Sequence, residues 1–326
     1  MRRGLVLGKF MPIHNGHIKL IEHAAENCDS LIVWICVSNK EVMSAKLRFN
    51  WVMQIFKDNP KIEPIIFEYD ESILPNTSES SKEVSEIWSE AIKQNLPKID
   101  VIISSEKYGD FVAEYLNIEH IFYPVSRVTS ASAIRENPYK HWQFIPKVVK
   151  PYFYRKVCIL GTESTGKSTL TKNLAKFFNA DYVSEVGREI VENTNTCQQE
   201  DLLKIAKTHA SKILLEEKGL NKMLIIDTDI NITKSYSKFL FNQELEVENW
   251  IDDANKCDLY LYLDNDAPFI QDGTRLSESD RNKLDSFHKK QLNKTGIDYT
   301  IINGNWNQRF EKSLKVIFEK LSINYM

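Results

Sequence analysis

The chain has 326 residues, enough for two domains of ordinary size, each with its own core. It is 42% hydrophobic and 27% charged with a formal net charge of −3, a globular composition without the basic excess that general nucleic-acid binding needs. Cys28, Cys36, Cys158, Cys197 and Cys257 are scattered and form no C-x-x-C pair, which argues against a disulfide framework or zinc site and for reduced thiols in a cytoplasmic protein.

The start, Met1-Arg2-Arg3-Gly4-Leu5-Val6-Leu7, has the charge of a secretory signal. Its apolar run is only a strand long, however, and meets Gly8, Lys9 and a His-rich turn, and no later run approaches a membrane span. Leu5–Leu7 therefore reads as a strand that passes through Gly8-Lys9-Phe10-Met11-Pro12-Ile13-His14-Asn15-Gly16-His17 into a helix marked by Ile18, Ile21 and Ala25. His14 and His17 form a candidate metal pair, but no Cys or carboxylate accompanies them at ligand spacing. Donation of hydrogen bonds to phosphate oxygens at the helix N-terminus, where the dipole favours an anion, is the more economical role.

Strands at Leu31–Val37 and Ile62–Phe67 flank an amphipathic helix, Leu47–Phe56, and a second helix pattern runs through Val84, Ile87, Trp88 and Ile92. Between them, Pro75–Lys82 reads as a mobile polar loop. Val101–Ile103 ends in the polar stretch Ser104–Gly109, at the strand edge where ligands bind in open parallel sheets. Trp51, Trp88 and Tyr108 read as core or surface aromatics rather than base-stacking platforms. After a strand at Ile121–Tyr123 comes Thr129-Ser130-Ala131-Ser132-Ala133-Ile134-Arg135; a capped helix start explains Ser130 but not Arg135. The aromatic stretch from Glu136 to Tyr154 lacks a Gly/Ser-rich linker and predicts a short, packed joint.

Val157–Leu160, the length of a buried strand, runs into Gly161-Thr162-Glu163-Ser164-Thr165-Gly166-Lys167-Ser168, the full G-x-x-x-x-G-K-S/T pattern, followed by Thr169 and a helix face of Leu170, Leu174 and Phe177. The glycines let backbone N–H groups converge on a phosphate chain, Lys167 adds charge at the β and γ phosphates, and Ser168 can hold Mg²⁺. Tyr182–Glu185 is a strand end followed by Val186-Gly187-Arg188-Glu189. Leu224–Ile226 is a strand ending in Asp227-Thr228-Asp229, a Walker-B-like arrangement that can serve Mg²⁺. Asp227 or Glu185 is the candidate to orient or deprotonate a substrate hydroxyl, with Arg188 and Asp229 as further substrate-binding candidates. Each carboxylate can alternatively be a helix cap. After a strand at Leu259–Leu263, Asp272-Gly273-Thr274-Arg275 reads equally as a lid that brings Arg275 onto the transferring phosphate or as a solvated turn. Tyr299–Ile302 and a helix through Phe310, Leu314, Ile317 and Leu321 complete an α/β chain of two parallel-sheet domains, residues 1–150 and 151–326.

The run G-x-F-x-P-x-H-x-G-H, with Gly8, Phe10, Pro12, His14, Gly16 and His17 in place, resembles the signature of the nucleotidyltransferase superfamily, whose members join a nucleotide to a phosphorylated partner and release pyrophosphate. The resemblance implies that Gly8, Lys9, Phe10, His14 and His17 bind ATP. The same superfamily carries I-S-x-T-x-I-R, here Thr129 to Arg135, which implies ATP contacts for Ser130, Ser132 and Arg135; Thr129 stands for the usual Ile and Ser132 for the usual Thr. Followed by a P-loop kinase, with the joint N-P-Y-K-H-W-Q-F-I-P and then V-G-R-E, the whole chain looks like the NadR-type bifunctional proteins. That resemblance implies a Rossmann-like adenylyltransferase domain and a ribosylnicotinamide kinase domain, with ATP and Mg²⁺ as cofactors. It implies nicotinamide riboside and nicotinamide mononucleotide (NMN) as substrates, NAD as product, and His14, His17, Lys167, Asp227 and Arg275 as catalytic groups. Repressor members of the family carry a helix-turn-helix domain before the first strand, and its absence here leads us to expect no specific DNA binding. Fusions that finish coenzyme A or activated sulfate, and a nucleotide-sensing regulator, are the alternatives. Homo-oligomerisation is left open.

Overall fold

In each half of the chain, runs of three to nine residues form one five-stranded, all-parallel sheet. In the computed structural model these sheets belong to two units, Met1–Tyr152 and Phe153–Met326. The structure describes residues 1–76, 81–124, 129–191, 196–219, 221–270 and 276–321. Part of the loop expected at Pro75–Lys82, and Asp272 to Arg275, lie outside them.

The first unit contains β1 (Arg3–Gly8), β2 (Ser30–Ser38), β3 (Ile62–Tyr69), β4 (Val101–Ser104) and β5 (Glu119–Phe122), in the order β3-β2-β1-β4-β5. Leu31 to Ser38 are buried without alternation, as expected of a parallel strand covered on both faces. Trp34 and Trp88 pack edge to face beside Phe67 and Tyr69, and the Trp88 indole N–H donates to the Pro75 carbonyl at 2.9 Å. Trp51 and Trp88 are thus core residues. The last strand starts two residues before the expected Ile121, because Glu119 and His120 pair with Val101 and Ile102 at the sheet edge, where Glu119 stays in water and the His120 ring bonds to Ser104 and Asp110. Chain order reverses between β1 and β4, so the loop after β1 opens at the switch point on the carboxyl edge.

The second unit contains β6 (Arg155–Leu160), β7 (Asp181–Val183), β8 (Met223–Asp227), β9 (Leu259–Leu263) and β10 (Tyr299–Ile302), in the order β10-β9-β6-β8-β7. The P-loop leaves β6 at its own switch point, between β8 and β9. The register pairs Ile159 with Asp227 and so sets the β8 carboxylate beside the start of that loop. No helix among the described residues is long and apolar enough to cross a membrane.

Three buried arginines hold the loops at these edges. Arg48 donates to the carbonyls of Lys9 and Met43 and pairs with Glu41 at 2.6 Å. Arg281 donates to the carbonyls of Glu163 and Asn265. Arg309 donates to the carbonyls of Thr165 at 2.7 Å, Gly304 at 2.7 Å and Asp264 at 3.0 Å, and pairs with Asp266. A guanidinium spreads its donors in a planar fork, which lets one side chain satisfy several loop carbonyls that water cannot reach.

Replacing Arg309 should therefore loosen the P-loop. Arg309→Met is expected to lower the urea stability of the second unit by roughly 3–5 kcal/mol while leaving the first unit's transition in place, and Arg309→Lys, a single point donor, should not restore it.

Candidate functional site

In the first unit, the helix Asn15–Glu26 begins three residues earlier than the apolar spacing indicates, because His14 caps it: its Nδ1 accepts from the Gly16 N–H at 3.0 Å. That bond leaves Nε2 as the protonated, donating nitrogen. The His14 and His17 rings stack at 3.9 Å, and Phe10, held at a φ of 46°, meets His17 edge-on at 5.2 Å. Burial pushes His14 down to about 4 and His17 well below the usual histidine range. Both rings are neutral near pH 7, so toward phosphate they are dipolar donors rather than cations.

Positive charge comes instead from Lys9 and Arg135. Lys9 pairs with Glu41 at 2.9 Å, and Glu41 also holds Arg48, tying the loop after β1 to the helix Ala45–Phe56. Arg135, from the helix Ala131–Glu136, donates to the Met11 carbonyl and, at 3.1 Å, to the Ser132 hydroxyl, so it reaches over the same loop. Ser130 caps that helix by accepting from the Ala133 N–H at 3.1 Å, and Thr129 meets His141 of the joint at 3.1 Å. Ser132 thus orients Arg135, while Ser130 has the ordinary capping role. The structure therefore brings Gly8, Lys9, Phe10, His14, His17, Ser132 and Arg135 around one loop.

In the second unit, Gly161 and Gly166 sit at φ values of 139° and 85°; a Cβ would lie 2.7 Å from the Leu263 carbonyl oxygen at the first and 2.2 Å from the Trp306 ring at the second. Only glycine meets both demands. Within the loop, Thr165 Oγ1 and Lys167 Nζ donate to the Thr162 carbonyl at 2.8 and 2.9 Å, and Ser164 Oγ accepts from the Ile270 N–H at 3.0 Å. The Glu163 carboxylate accepts from the Leu276 N–H and the Tyr236 hydroxyl. Asp227 is fully buried beneath this loop, within reach of the Ser168 and Thr228 hydroxyls, and burial, opposed by Lys167, pushes its carboxyl up to about 6. Its Oδ2 has no hydrogen-bond partner among the described residues.

Asp229 has a different job from the one expected of it. It caps the helix Ile230–Phe241 by accepting from the Asn231 and Ile232 N–H groups at 3.0 and 3.1 Å and is 1% exposed, so it is a structural cap rather than a substrate ligand. A cavity of about 430 Å³ opens beside the P-loop, its wall including Lys167, Ser168, Glu185, Arg188, His209 and Tyr236. Of the two candidate bases, Glu185 faces this space and Asp227 lies under the loop. Thr169 also lines the cavity, whereas Arg275 lies outside the described residues. Sequence reasoning missed Arg48, His209, Tyr236, Arg281 and Arg309, which reach their loops and the cavity from distant helices and carry no local motif.

Comparison with known proteins separates the same two regions: residues 5–146 match a cytidylyltransferase-like family model and residues 156–309 an AAA domain model. The trifunctional NAD biosynthesis/regulator protein NadR of Escherichia coli is 31% identical over 98% of this chain and 83% of its own length. The chain belongs to the NadR family. The Salmonella typhimurium NadR is 30% identical over the same shares. A nicotinamide-nucleotide adenylyltransferase of Thermococcus sibiricus is 25% identical over 46% of this chain and 82% of its own. Among solved structures, a NadR protein in complex with NR matches all of the chain with a TM-score of 0.63 at 20% identity, covering 97% of that chain, a likeness of fold. The NadR family fold is therefore present across both units.

Two outcomes follow for the first unit. Ser132→Ala should weaken its use of ATP about tenfold or more by freeing Arg135, while Ser132→Thr, which keeps the hydroxyl, should be tolerated; steady-state kinetics that make no difference between wild type and Ser132→Ala would contradict this geometry. Acid should also destabilise this unit. Folded His14 takes its proton near pH 4 and the unfolded chain near 6.5, so the unfolded state binds more protons between those values. The contribution is full above about 6.5 and is lost as pH falls toward 4, with His17 acting in the same direction. Urea unfolding should report a loss on the order of 2 kcal/mol between pH 7 and pH 5 from His14.

Proposed function

We propose that the chain is a bifunctional enzyme of NAD salvage, with residues 1–150 as NMN adenylyltransferase and residues 151–326 as ribosylnicotinamide kinase. The observation that carries this reading is the 31% identity to a NAD biosynthesis protein across 98% of the chain, with a phosphate-binding loop kept in each unit. The cavity volume of about 430 Å³ is in the range of small-molecule sites.

In the kinase reaction, the 5′-oxygen of nicotinamide riboside attacks the γ-phosphorus of ATP, the bond from that phosphorus to the bridging oxygen breaks, and ADP leaves. Glu185, on the cavity wall, takes the hydroxyl proton; Lys167 balances charge on the β and γ phosphates, and Arg188, on the same cavity wall, adds to the anion site. The buried, unpartnered Asp227 Oδ2 and the Ser168 hydroxyl are oxygen donors that suit a hard cation, and they are the residues that would hold Mg²⁺. Bound there, the ion would draw the phosphate oxygens together and neutralise charge developing on them.

In the second reaction, a phosphate oxygen of NMN attacks the α-phosphorus of another ATP, giving NAD as pyrophosphate departs. Neutral His14 and His17 donate to phosphate oxygens at the helix start, and Arg135, set by Ser132, supplies fixed charge. Neither step requires a covalent enzyme intermediate, so catalysis is positioning plus electrostatics.

Separate sites give separable defects. Lys167→Ala is expected to abolish phosphorylation of nicotinamide riboside yet still adenylylate supplied NMN, and His17→Ala to do the reverse, each with a loss of about a hundredfold or more in its own reaction. Loss of both reactions in a Lys167→Ala protein that melts like wild type would overturn the two-site assignment.

A further inference from the structure

The helix Gln199–Glu217 forms part of the kinase cavity wall, and three of its side chains, Leu202, Ile205 and His209, line that space. Their spacing of three and four residues puts them on one helix face, and seven residues span roughly 10 Å along the axis. His209 lies at the end of this row next to the phosphate loop, with its ring against the backbone of Asp227, the residue beneath that loop. The apolar Leu202 and Ile205 extend away from it. The row therefore matches a nucleoside whose 5′-oxygen points at the P-loop: sugar beside His209, aromatic base beside the leucine and isoleucine.

His209 is 6% exposed and its Nε2 has no hydrogen-bond partner among the described residues. The Asp227 carbonyl is an acceptor beside the ring, so the nitrogen turned to it, Nδ1, carries the proton and Nε2 presents a lone pair. Glu185 stands near enough to act electrostatically on this ring and faces the same cavity. Glu185 and His209 are thus two acceptors on one cavity wall, and the buried, unsatisfied ring nitrogen calls for a ligand that brings hydroxyl donors.

We propose that His209 Nε2 accepts a hydrogen bond from a secondary hydroxyl of the acceptor's ribose, and that this bond makes the kinase selective for ribosides over deoxyribosides. The inference rests on the riboside-kinase reading above. It adds a recognition residue to that site and names the group on the substrate that it reads. A site built to pair with a hydroxyl discriminates strongly against an analogue lacking it, because the protein's own polar atom is then buried without a partner.

The test uses the full chain as wild type, His209→Leu and His209→Gln, with nicotinamide riboside, its 2′-deoxy and 3′-deoxy analogues, and nicotinic acid riboside as acceptors. Adenylylation of supplied NMN and the melting curve serve as controls for folding. Wild type is expected to favour the riboside over one of the deoxy analogues by about tenfold or more in kcat/KM. His209→Leu should lose that factor on the riboside but not on the same analogue, so the preference collapses toward unity; His209→Gln, whose amide oxygen accepts, should retain most of it. Because the preference is a ratio within one variant, a general loss of active protein cancels. An unchanged preference in His209→Leu overturns the proposal, as does a Gln variant no better than Leu, or a change confined to the nicotinamide and nicotinic acid pair. Failure of wild type to phosphorylate nicotinamide riboside at all would instead sink the kinase assignment on which the proposal rests.

Discussion

Both units depend on one constraint: a parallel strand must hand the chain to its next helix at the carboxyl edge of the sheet. There the helix N-terminus, with its unpaired N–H groups and positive dipole end, faces outward, and a phosphate can satisfy several donors at once. After β1 the turn is shaped by Phe10, Pro12 and a histidine cap; after β6 it is shaped by two glycines at positive φ. The two solutions differ in chemistry because the first supplies neutral imidazole donors and the second a lysine and a run of backbone amides.

These edges are costly places to build loops, since their carbonyls are crowded and partly shut off from water. Arginine answers this in each unit. Arg48 ties the β1 loop to Glu41, and Arg281 and Arg309 hold the P-loop carbonyls of Glu163 and Thr165. A buried guanidinium is tolerable only with near-complete pairing, so the same bonds that satisfy the arginines also fix the loops before any phosphate arrives. Pre-set donors are what electrostatic catalysis requires, because little reorganisation is left for the reaction itself.

Burial also sorts the carboxylates and histidines of the second unit. Asp227 and Asp229 are both pushed up to about 6 by burial, but one faces the Ser168 hydroxyl and the other is occupied by helix N–H groups. Glu185 keeps access to the cavity. His209, which lines the same cavity, is pushed down to about 4 chiefly by burial and is neutral near pH 7. Three acids and a histidine of one unit thus differ in burial and in partners according to their surroundings.

The succession of strands and helices along the chain, the helix faces and both Gly- or His-bearing loops were legible in the sequence, because each is local: an apolar run, a glycine or histidine turn and a helical repeat lie within about twenty residues and obey backbone rules that tertiary contacts do not change. The likeness to the NadR-type proteins rested on the same contiguous stretches. What the tertiary structure alone decided was the division of labour among residues with equal claims on paper. Asp229 and Glu185 both follow strands as candidate caps or ligands, and only the packing of each neighbouring helix makes the first a cap and leaves the second facing the cavity. Arg309 grips Thr165 from 144 positions away, Arg281 grips Glu163 from 118, and His209 meets the cavity from mid-helix. No spacing within a short window encodes such pairings, since they depend on which helix crosses which sheet edge, and that is settled by the summed burial of the whole unit.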